Sequence, residues 1–264
     1  MTPAEFDVLE NPSHAQASDS TWAFSEQDKI DFDRWTSRLV GLPSPSGEGR
    51  QREIALTTGS LGPHSVRAIR AIAEFVAPKS ILEIGLNCGI STCFWLHLCP
   101  AAKIVSVDIS AADHTLRGVA SIAAWFRDRH QFVMSDSKFC GPLLPTREFD
   151  LAFVDGDHEY DGVRADLGLC LDLRIPWIAM DDYWPVFGPG VRRAVESMPQ
   201  FARQWNQGNY ALFRNLEVLP EDPMYADDKG KLRWRRPGEN AKEVASGKKS
   251  PKATVATAGE SSDG

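Results

Sequence analysis

The chain has 264 residues, of which 42% are hydrophobic and 25% are charged, a balance typical of an ordinary soluble globular protein. No stretch approaches the roughly 20 apolar residues that a membrane helix needs, and the first 20 residues lack the basic start and apolar core of a secretory signal. We therefore expect a cytoplasmic protein. Residues 1–33 carry the whole net charge of −7, so the neutral remainder gives no general reason to expect nucleic-acid binding.

The five cysteines are odd in number and form no Cys-x-x-Cys pair. Three of them lie among apolar residues, which favours core thiols in a reducing compartment. Their spacing does not suit a zinc site. The five are Cys88, Cys93, Cys99, Cys140 and Cys170.

The N-terminal quarter of the chain divides into two parts. Residues 1–24 are polar and aperiodic, which predicts a flexible acidic arm. Residues 25–57 are predicted to form an N-terminal helix and a loop. Ser25 and Asp28 resemble a capping box, and residues 41–49 are rich in glycine, proline and serine.

From residue 63 onward, short apolar segments alternate with amphipathic ones. The amphipathic segments predict helices at about residues 63–76, 90–99, 116–126, 160–171 and 191–198. They predict strands at 81–84, 103–108, 131–134, 151–154 and 177–180. Two further strands, joined by a glycine-containing turn, are predicted within 201–215. This alternation indicates an α/β fold with helices on both faces of a mostly parallel sheet. Because no crossover helix separates the final pair, the last strand should run antiparallel.

Beyond residue 215 the apolar pattern fades, and residues 216–264 carry nine acids and nine bases. This composition predicts a largely disordered tail. Residues 231–252 are locally basic and include Trp234. Both a solvated tail and a contact to an acidic partner fit this segment.

Polar residues follow each predicted strand, and in open parallel sheets ligands bind beyond the carboxyl ends of the strands. Gly85 and Gly89 follow the first strand, where glycine permits a sharp turn and a close approach to a ligand. The second strand ends in Asp108, at the distance along the chain where an acid can accept ribose hydroxyl groups. Polar residues 135–137 follow the third strand, about where an adenine would lie. The missing G-x-G-x-x-G pattern counts against a nicotinamide or flavin dehydrogenase.

Acidic residues crowd the ends of the fourth and fifth strands, in "DGDHE" (155–159) and at Asp181 and Asp182. Buried charge is costly unless it is paired, metal-bound or solvated in a cleft. Converging carboxylates raise each other's pKa values, and a divalent cation such as Mg²⁺ or Mn²⁺ would remove that conflict. In the structural alternative, Asp182 caps the following loop and Asp155 shapes the turn.

His158 can take a proton from an acceptor hydroxyl, although a histidine at the start of a helix also serves as a cap or as a support for other site residues. Tyr183 and Trp184 are candidates for the wall of an acceptor pocket, and simple packing explains them equally well.

Four segments together resemble class I S-adenosylmethionine-dependent methyltransferases: "ILEIGLNCGIST", "VSVDIS", "FDLAFVDGDHEYDGVRADL" and "MDDYWPVFGPGVRRAVE". The resemblance covers residues 58–215, and within the class it points to the branch with Asp-Gly-Asp-His after the fourth strand, which is similar to small-molecule O-methyltransferases. It implies a Rossmann-like sheet of seven strands, mostly parallel, with the last strand antiparallel. One departure is "LRIPWIAMDD", since many relatives approach the fifth strand through a Pro-Gly-Gly turn.

The resemblance also implies the components of a site. S-adenosylmethionine would be held by Glu83, Gly85, Asn87, Gly89, Ser91, Asp108, Ile109, Asp136, Ser137 and Asp155. A metal ion would be held by Asp155, Asp181 and Asp182 and would stabilise the deprotonated acceptor oxygen, while His158 and Asp155 would serve catalysis.

The sequence thus predicts metal-assisted O-methylation of a small hydroxylated molecule. The expected partner is that small-molecule acceptor, without nucleic acid or membrane, and a homo-oligomer is left open. Two alternatives remain at this point. One is a cofactor-binding interaction module without transfer activity, and the other is a macromolecule methyltransferase recruited through the basic tail.

Overall fold

The computed structural model describes residues 63–184 and 188–219, the strand residues 224–226 and 232–234, and five isolated residues near the N-terminus. Those five, residues 26, 27, 30, 34 and 39, have helical backbone. The predicted acidic arm, the loop at 41–49 and most of the predicted N-terminal helix lie outside the described residues. These parts of the domain division therefore stay predictions.

Helices and strands alternate through the described chain as the apolar pattern predicts. The helices are α1 (Pro63–Val76), α2 (Ile90–Leu98), α3 (Asp113–Phe126), α4 (Tyr160–Asp172) and α5 (Pro189–Glu196). The strands are β1 (Ser80–Ile84), β2 (Lys103–Asp108), β3 (His130–Met134), β4 (Leu151–Val154), β5 (Trp177–Met180), β6 (Phe201–Gln207) and β7 (Tyr210–Asn215).

These seven strands form one sheet in the order β3-β2-β1-β4-β5-β7-β6. Strands β1 to β5 pair in parallel, whereas β7 runs antiparallel to both β5 and β6. The predicted α/β fold class, with its mostly parallel sheet and antiparallel last strand, is confirmed. In the register, Ile84 pairs with both Val107 and Val154, and Val154 pairs with Met180. The acids that follow these residues therefore emerge at one edge of the sheet.

Alternate strand residues supply two separate cores, one on each face of the sheet. Ile81, Ile104 and Phe153 pack with α1 and α2 on one face. Leu82, Val105 and Ile178 pack on the other face with residues of α4 and α5. Burial on both faces explains why the parallel strands are almost continuously apolar in sequence.

The buried side of helix α3 differs from the one that its apolar residues predict. Leu116, one of the apolar residues that mark this helix, is 45% exposed, and the buried side consists of Thr115, Gly118, Ser121 and Ile122. A Cβ added at Gly118 would overlap the backbone of Cys88. The helix approaches the segment before α2 so closely that glycine is needed at position 118.

All five cysteines are free and buried, which confirms the prediction of core thiols. Residues 221–264 form a unit of their own, in which β8 (Met224–Ala226) and β9 (Leu232–Trp234) pair antiparallel. This hairpin was not predicted, and the disorder predicted for the rest of the tail stays a prediction. No helix within the described residues has the length and apolar character needed to cross a membrane.

Candidate functional site

A cavity of about 530 Å³ opens at the carboxyl ends of β1 to β4. It is lined by many of the residues predicted to hold a cofactor: Gly85, Asn87, Asp108, Ile109, Asp136, Ser137 and Asp155. The predicted catalytic residue His158 also lines the cavity. Glu83, Gly89 and Ser91 are not among its lining residues, so their assignment to the cofactor stays a prediction.

Gly85 brings the ends of β1 and β4 together at the floor of this cavity. Its φ of +92° lies in a region that other residues rarely adopt, and an added Cβ would overlap the carbonyl group of Asp155. The sequence indicated a glycine that allows close approach to a ligand. The structure shows that Gly85 is needed for close approach of one strand end to another.

Asp108, at the end of β2, binds the loops that follow β1 and β2. Its Oδ2 accepts hydrogen bonds from the amides of Leu86 (2.8 Å) and Asn87 (2.9 Å). Its Oδ1 accepts a hydrogen bond from the amide of Ser110 at 2.7 Å. Because an ionised carboxylate has about four acceptor positions, Asp108 can still accept a hydrogen bond from a ligand hydroxyl.

Glu83 lies in the middle of the sheet and is fully buried. Its carboxylate accepts hydrogen bonds from the hydroxyls of Ser91 (2.6 Å), Thr92 (2.5 Å) and Ser106 (2.5 Å). Burial outweighs these three donors and raises the pKa of Glu83 from 4.5 to about 7. Both oxygens are thus engaged within the protein, and Ser91 is tied to Glu83.

The loop after β3 is joined to α4 through a short hydrogen bond. Ser137 Oγ donates to Asp166 Oδ1 at 2.5 Å, while Asp136 Oδ1 accepts a hydrogen bond from the amide of Lys138. Asp166 is only 2% exposed, lines the cavity and has its pKa raised to about 6, chiefly by burial.

Sequence reasoning missed Asp166, although a signal was present. Val163, Leu167 and Cys170 form the buried stripe of α4, and Asp166 lies on the same side of the helix. An acid inside an apolar stripe is unusual, because burial of an unpaired carboxylate is costly.

The second group of acids surrounds His158. The distance from His158 Nε2 to Asp155 Oδ1 is 3.8 Å, and that from His158 Nδ1 to Asp182 Oδ2 is 3.5 Å. Burial raises the pKa of Asp155 to about 6, and burial followed by the charge of Asp155 raises the pKa of Asp181 well above its usual range. The interaction with Asp155 raises the pKa of His158 above 6.5. The structure therefore brings the predicted catalytic residues and the predicted metal ligands into one cluster.

The first residue of β7 and the turn residue before it each donate a hydrogen bond to one of these acids. Tyr210 Oη donates a hydrogen bond to Asp181 Oδ2 at 2.9 Å, and Asn209 Nδ2 donates one to Asp182 Oδ1 at 3.1 Å. Asp182 has a φ of +50°, a left-handed conformation that aspartate adopts more readily than most residues. Sequence reasoning missed Tyr210 and Asn209, because nothing in the local pattern indicates which strand the hairpin joins.

Tyr183 lies inside the protein and not in an open pocket. Its side chain is buried and packs edge-on against Phe213, with a distance of 5.3 Å between ring centroids. Of the two roles considered for Tyr183, packing is the one that the structure shows.

The acidic cluster supplies oxygen ligands of the type that Mg²⁺ and Mn²⁺ prefer. However, in the described part of the chain no group of three or more His, Cys, Asp or Glu side chains is arranged to hold a metal ion. His158 lies between Asp155 and Asp182, where its positive form balances their charge. The residue types thus fit a divalent cation, but the described side chains are not already arranged in the geometry of a metal site.

Comparison with known proteins agrees with this fold. Residues 82–183 match the family model described as a methyltransferase domain. No curated protein matches the chain. The family match and the order of the seven strands identify residues 82–183 as part of a class I S-adenosylmethionine-dependent methyltransferase domain.

Solved structures with the same fold include several methyltransferases. A Podospora anserina methyltransferase bound to S-adenosylhomocysteine is 17% identical, with a TM-score of 0.53 over 72% of this chain and 88% of that one. A putative caffeoyl-CoA O-methyltransferase from Staphylococcus aureus is 12% identical, with a TM-score of 0.53 over 72% and 99%. An O-methyltransferase from Bacillus cereus, in complex with S-adenosylhomocysteine, is 21% identical, with a TM-score of 0.51 over 74% and 99%.

Proposed function

We propose that this protein transfers the methyl group of S-adenosylmethionine to a hydroxyl oxygen of a small molecule. The observation that carries the proposal is the position of His158. It lies in the wall of the cavity that Asp108 and Gly85 also line, and it is surrounded by the carboxylates of Asp155 and Asp182. A potential base is thus located next to the space assigned to the methyl donor.

The polar groups of the cavity support binding of the donor. Asp108 has acceptor capacity left for ribose hydroxyls after binding three backbone amides. The β1–α2 loop that carries Asn87 would face the methionine part, and the loop after β3 would face the adenine. The protein supplies positioning, which accounts for a large share of the rate in reactions of two bound molecules.

The reaction itself is a direct displacement. The acceptor oxygen attacks the methyl carbon in line with the carbon–sulfur bond, a new carbon–oxygen bond forms, and the sulfur leaves as the neutral thioether of S-adenosylhomocysteine. The hydroxyl proton passes to His158 Nε2 or Nδ1, and the nearby carboxylates stabilise the imidazolium that forms. No covalent enzyme intermediate is needed.

A divalent cation is the second component of the proposal. Asp155, Asp181 and Asp182 would hold it, and when bound it would supply positive charge that favours the deprotonated acceptor. The choice of oxygen as the methylated atom is supported by two neighbours of the same fold that are described as O-methyltransferases.

The test is methyl transfer from S-adenosylmethionine to a panel of small hydroxylated molecules, catechols included, with release of S-adenosylhomocysteine as the common readout. We expect an O-methylated product. A methyl group found only on nitrogen or carbon, or on RNA or protein, would contradict the proposal. The same assay in EDTA decides the cation: full activity there would eliminate the metal and leave proton removal to His158 alone.

A further inference from the structure

Two glycines at the start of α5 lie directly against the backbone of the acidic cluster. A Cβ added at Gly188 would overlap the carbonyl oxygen of Asp182, and one added at Gly190 would overlap the carbonyl oxygen of His158. A Cβ at Gly190 would also come within 2.9 Å of the amide nitrogen of Tyr160. The first turn of α5 thus contacts both of the segments that carry the cluster.

Close approach, and not backbone conformation, is the reason for glycine at these two positions. Neither of them has a positive φ, in contrast to Gly85 and Gly89. The atoms that an added Cβ would overlap are backbone atoms, which cannot rotate away as the end of a flexible side chain can. A side chain at Gly190 would therefore force either α5 or the segment at His158 to move.

Helix α5 is the less movable of the two. Its end is joined to α4, because Ser197 Oγ accepts hydrogen bonds from Tyr160 Oη at 3.2 Å and from Arg164 at 3.0 Å. Three of its residues are also buried in the core that α4 shares: Val191, Ala194 and Val195. Residues 156–159, in contrast, are exposed. The segment that carries His158 is therefore the part that would be displaced.

The other side of the cluster is fixed independently of this segment. Asn209 Nδ2 donates a hydrogen bond to Asp182 Oδ1, and Asp182 Oδ2 lies 3.5 Å from His158 Nδ1. Pro189, whose ring restricts φ, joins the two glycines and so limits the change in their separation. The distance between the imidazole and the carboxylate therefore depends on how closely the backbone of His158 approaches Gly190.

We propose that Gly190 is a positioning residue for the methyl transfer, because its lack of a side chain sets the distance between His158 and Asp182. The kinetic consequence rests on the proposed function, whereas the position of His158 is measurable without any methyl transfer. A misplacement of about 1 Å can lower the rate of an enzyme about 100-fold. One methyl group at Gly190 should therefore have a large effect on turnover.

The first experiment is structural and compares Gly190→Ala with wild type in crystals of the full chain. Gly168→Ala is the matched control, because it makes the same change within α4, where nothing lies within 4 Å of the added Cβ. Since non-bonded atoms pack at about 3.5 Å, Gly190→Ala should displace the His158 carbonyl by about 1 Å and change the distance from His158 Nδ1 to Asp182 Oδ2. Gly168→Ala should keep the wild-type distance. An unchanged position of His158 in Gly190→Ala would overturn the inference.

The second experiment measures turnover on a hydroxyl acceptor together with the affinity for S-adenosylhomocysteine. In Gly190→Ala, kcat should fall about 10–100-fold, while the affinity stays close to that of wild type and Gly168→Ala changes neither. In a His158→Ala background, Gly190→Ala should cause no further loss of kcat, because the residue that it positions is absent. Additive losses, or a parallel loss of kcat and cofactor affinity, would overturn the inference. If the wild type methylates no hydroxyl group, the proposed function fails, and the crystal structures alone decide whether Gly190 sets the position of His158.

Discussion

The two halves of the site differ in how their carboxylates are satisfied. At the ends of β1 and β2, Glu83 is held by three hydroxyl groups and Asp108 by three backbone amides. At the ends of β4 and β5, Asp155 and Asp182 face each other across His158, and burial and mutual repulsion raise the pKa of Asp181 well above its usual range. One half is complete within the chain, whereas the acids of the other half repel one another when they ionise.

This difference suggests that one half of the site governs cofactor binding and the other governs methyl transfer. The first half is organised by the protein alone, so cofactor binding should need no further component. Positive charge would stabilise the ionised acids of the second half, and it can come from a cation or from the imidazolium that forms when His158 accepts the proton. Changes in the second half should therefore affect turnover more than cofactor affinity, and changes in the first half should do the reverse.

The largest effect is expected from His158→Ala. Loss of a general base lowers kcat by about 10²–10⁴-fold, and the affinity for S-adenosylhomocysteine should remain close to that of the wild type. Steady-state kinetics and calorimetry on the same preparation measure both quantities. Full activity of this variant together with a strict magnesium requirement would transfer proton removal to the metal and a carboxylate.

The next effect is on folding and comes from Glu83. Its pKa is about 7 in the folded chain against 4.5 ordinarily, so the folded state binds more protons between these two pH values. The stabilising contribution is complete below pH 4.5 and is lost as the pH rises through 7. The free energy of unfolding should fall by about 3 kcal/mol across this window.

Other buried acids also titrate in this region, so the Glu83 contribution must be isolated by difference. In the isosteric variant Glu83→Gln, the free energy of unfolding should fall by about 3 kcal/mol less across this pH window than it does in the wild type. Denaturant unfolding at a series of pH values gives the comparison. Parallel curves for wild type and variant would show that Glu83 is ionised in the folded chain throughout.

Asp108→Ala tests the organised half. It removes the acceptor for the amides of Leu86 and Asn87 and the proposed acceptor for ribose. This should cost about 1.5–3 kcal/mol of cofactor binding, or about 10–100-fold in affinity. Asp113→Ala is the control, since the Asp113 side chain is 85% exposed at the start of α3. Unchanged affinity in a folded Asp108→Ala variant would refute the ribose assignment.

The smallest effect is expected from Tyr210→Phe. It removes the hydrogen bond to Asp181 Oδ2 and should lower turnover about tenfold, the value of roughly 1.4 kcal/mol, with little change in cofactor affinity. Tyr183→Phe is the control, because it keeps the packing against Phe213 and loses only a long contact to Glu196. Equal effects of the two variants on turnover would show that Tyr210 does not act through the acidic cluster.

The sequence predicted features that depend on local pattern. The apolar segments predicted the strands because burial on both faces leaves little else possible. The acids at strand ends, such as Asp108 and Asp155, were predictable because parallel strands place their carboxyl ends at one edge. Neither prediction depends on knowing which segments that are distant in sequence pack against each other.

Features that depend on distant contacts were not predicted. Tyr210 reaches Asp181 only because β7 joins the sheet next to β5. Position 118 in α3 has to be glycine because it packs on the backbone of Cys88. Asp166 is intermediate: its place in an apolar stripe was visible, but its bond to Ser137 was not.

On the proposed function, the cavity at the ends of β1 to β4 binds S-adenosylmethionine whether or not a divalent cation is bound at the acidic cluster. Calorimetric titration of the full chain with S-adenosylhomocysteine, in the presence and absence of EDTA, tests it most directly. We expect one bound ligand per chain and the same affinity in both conditions. Absence of binding, or binding that requires a divalent cation, would contradict it.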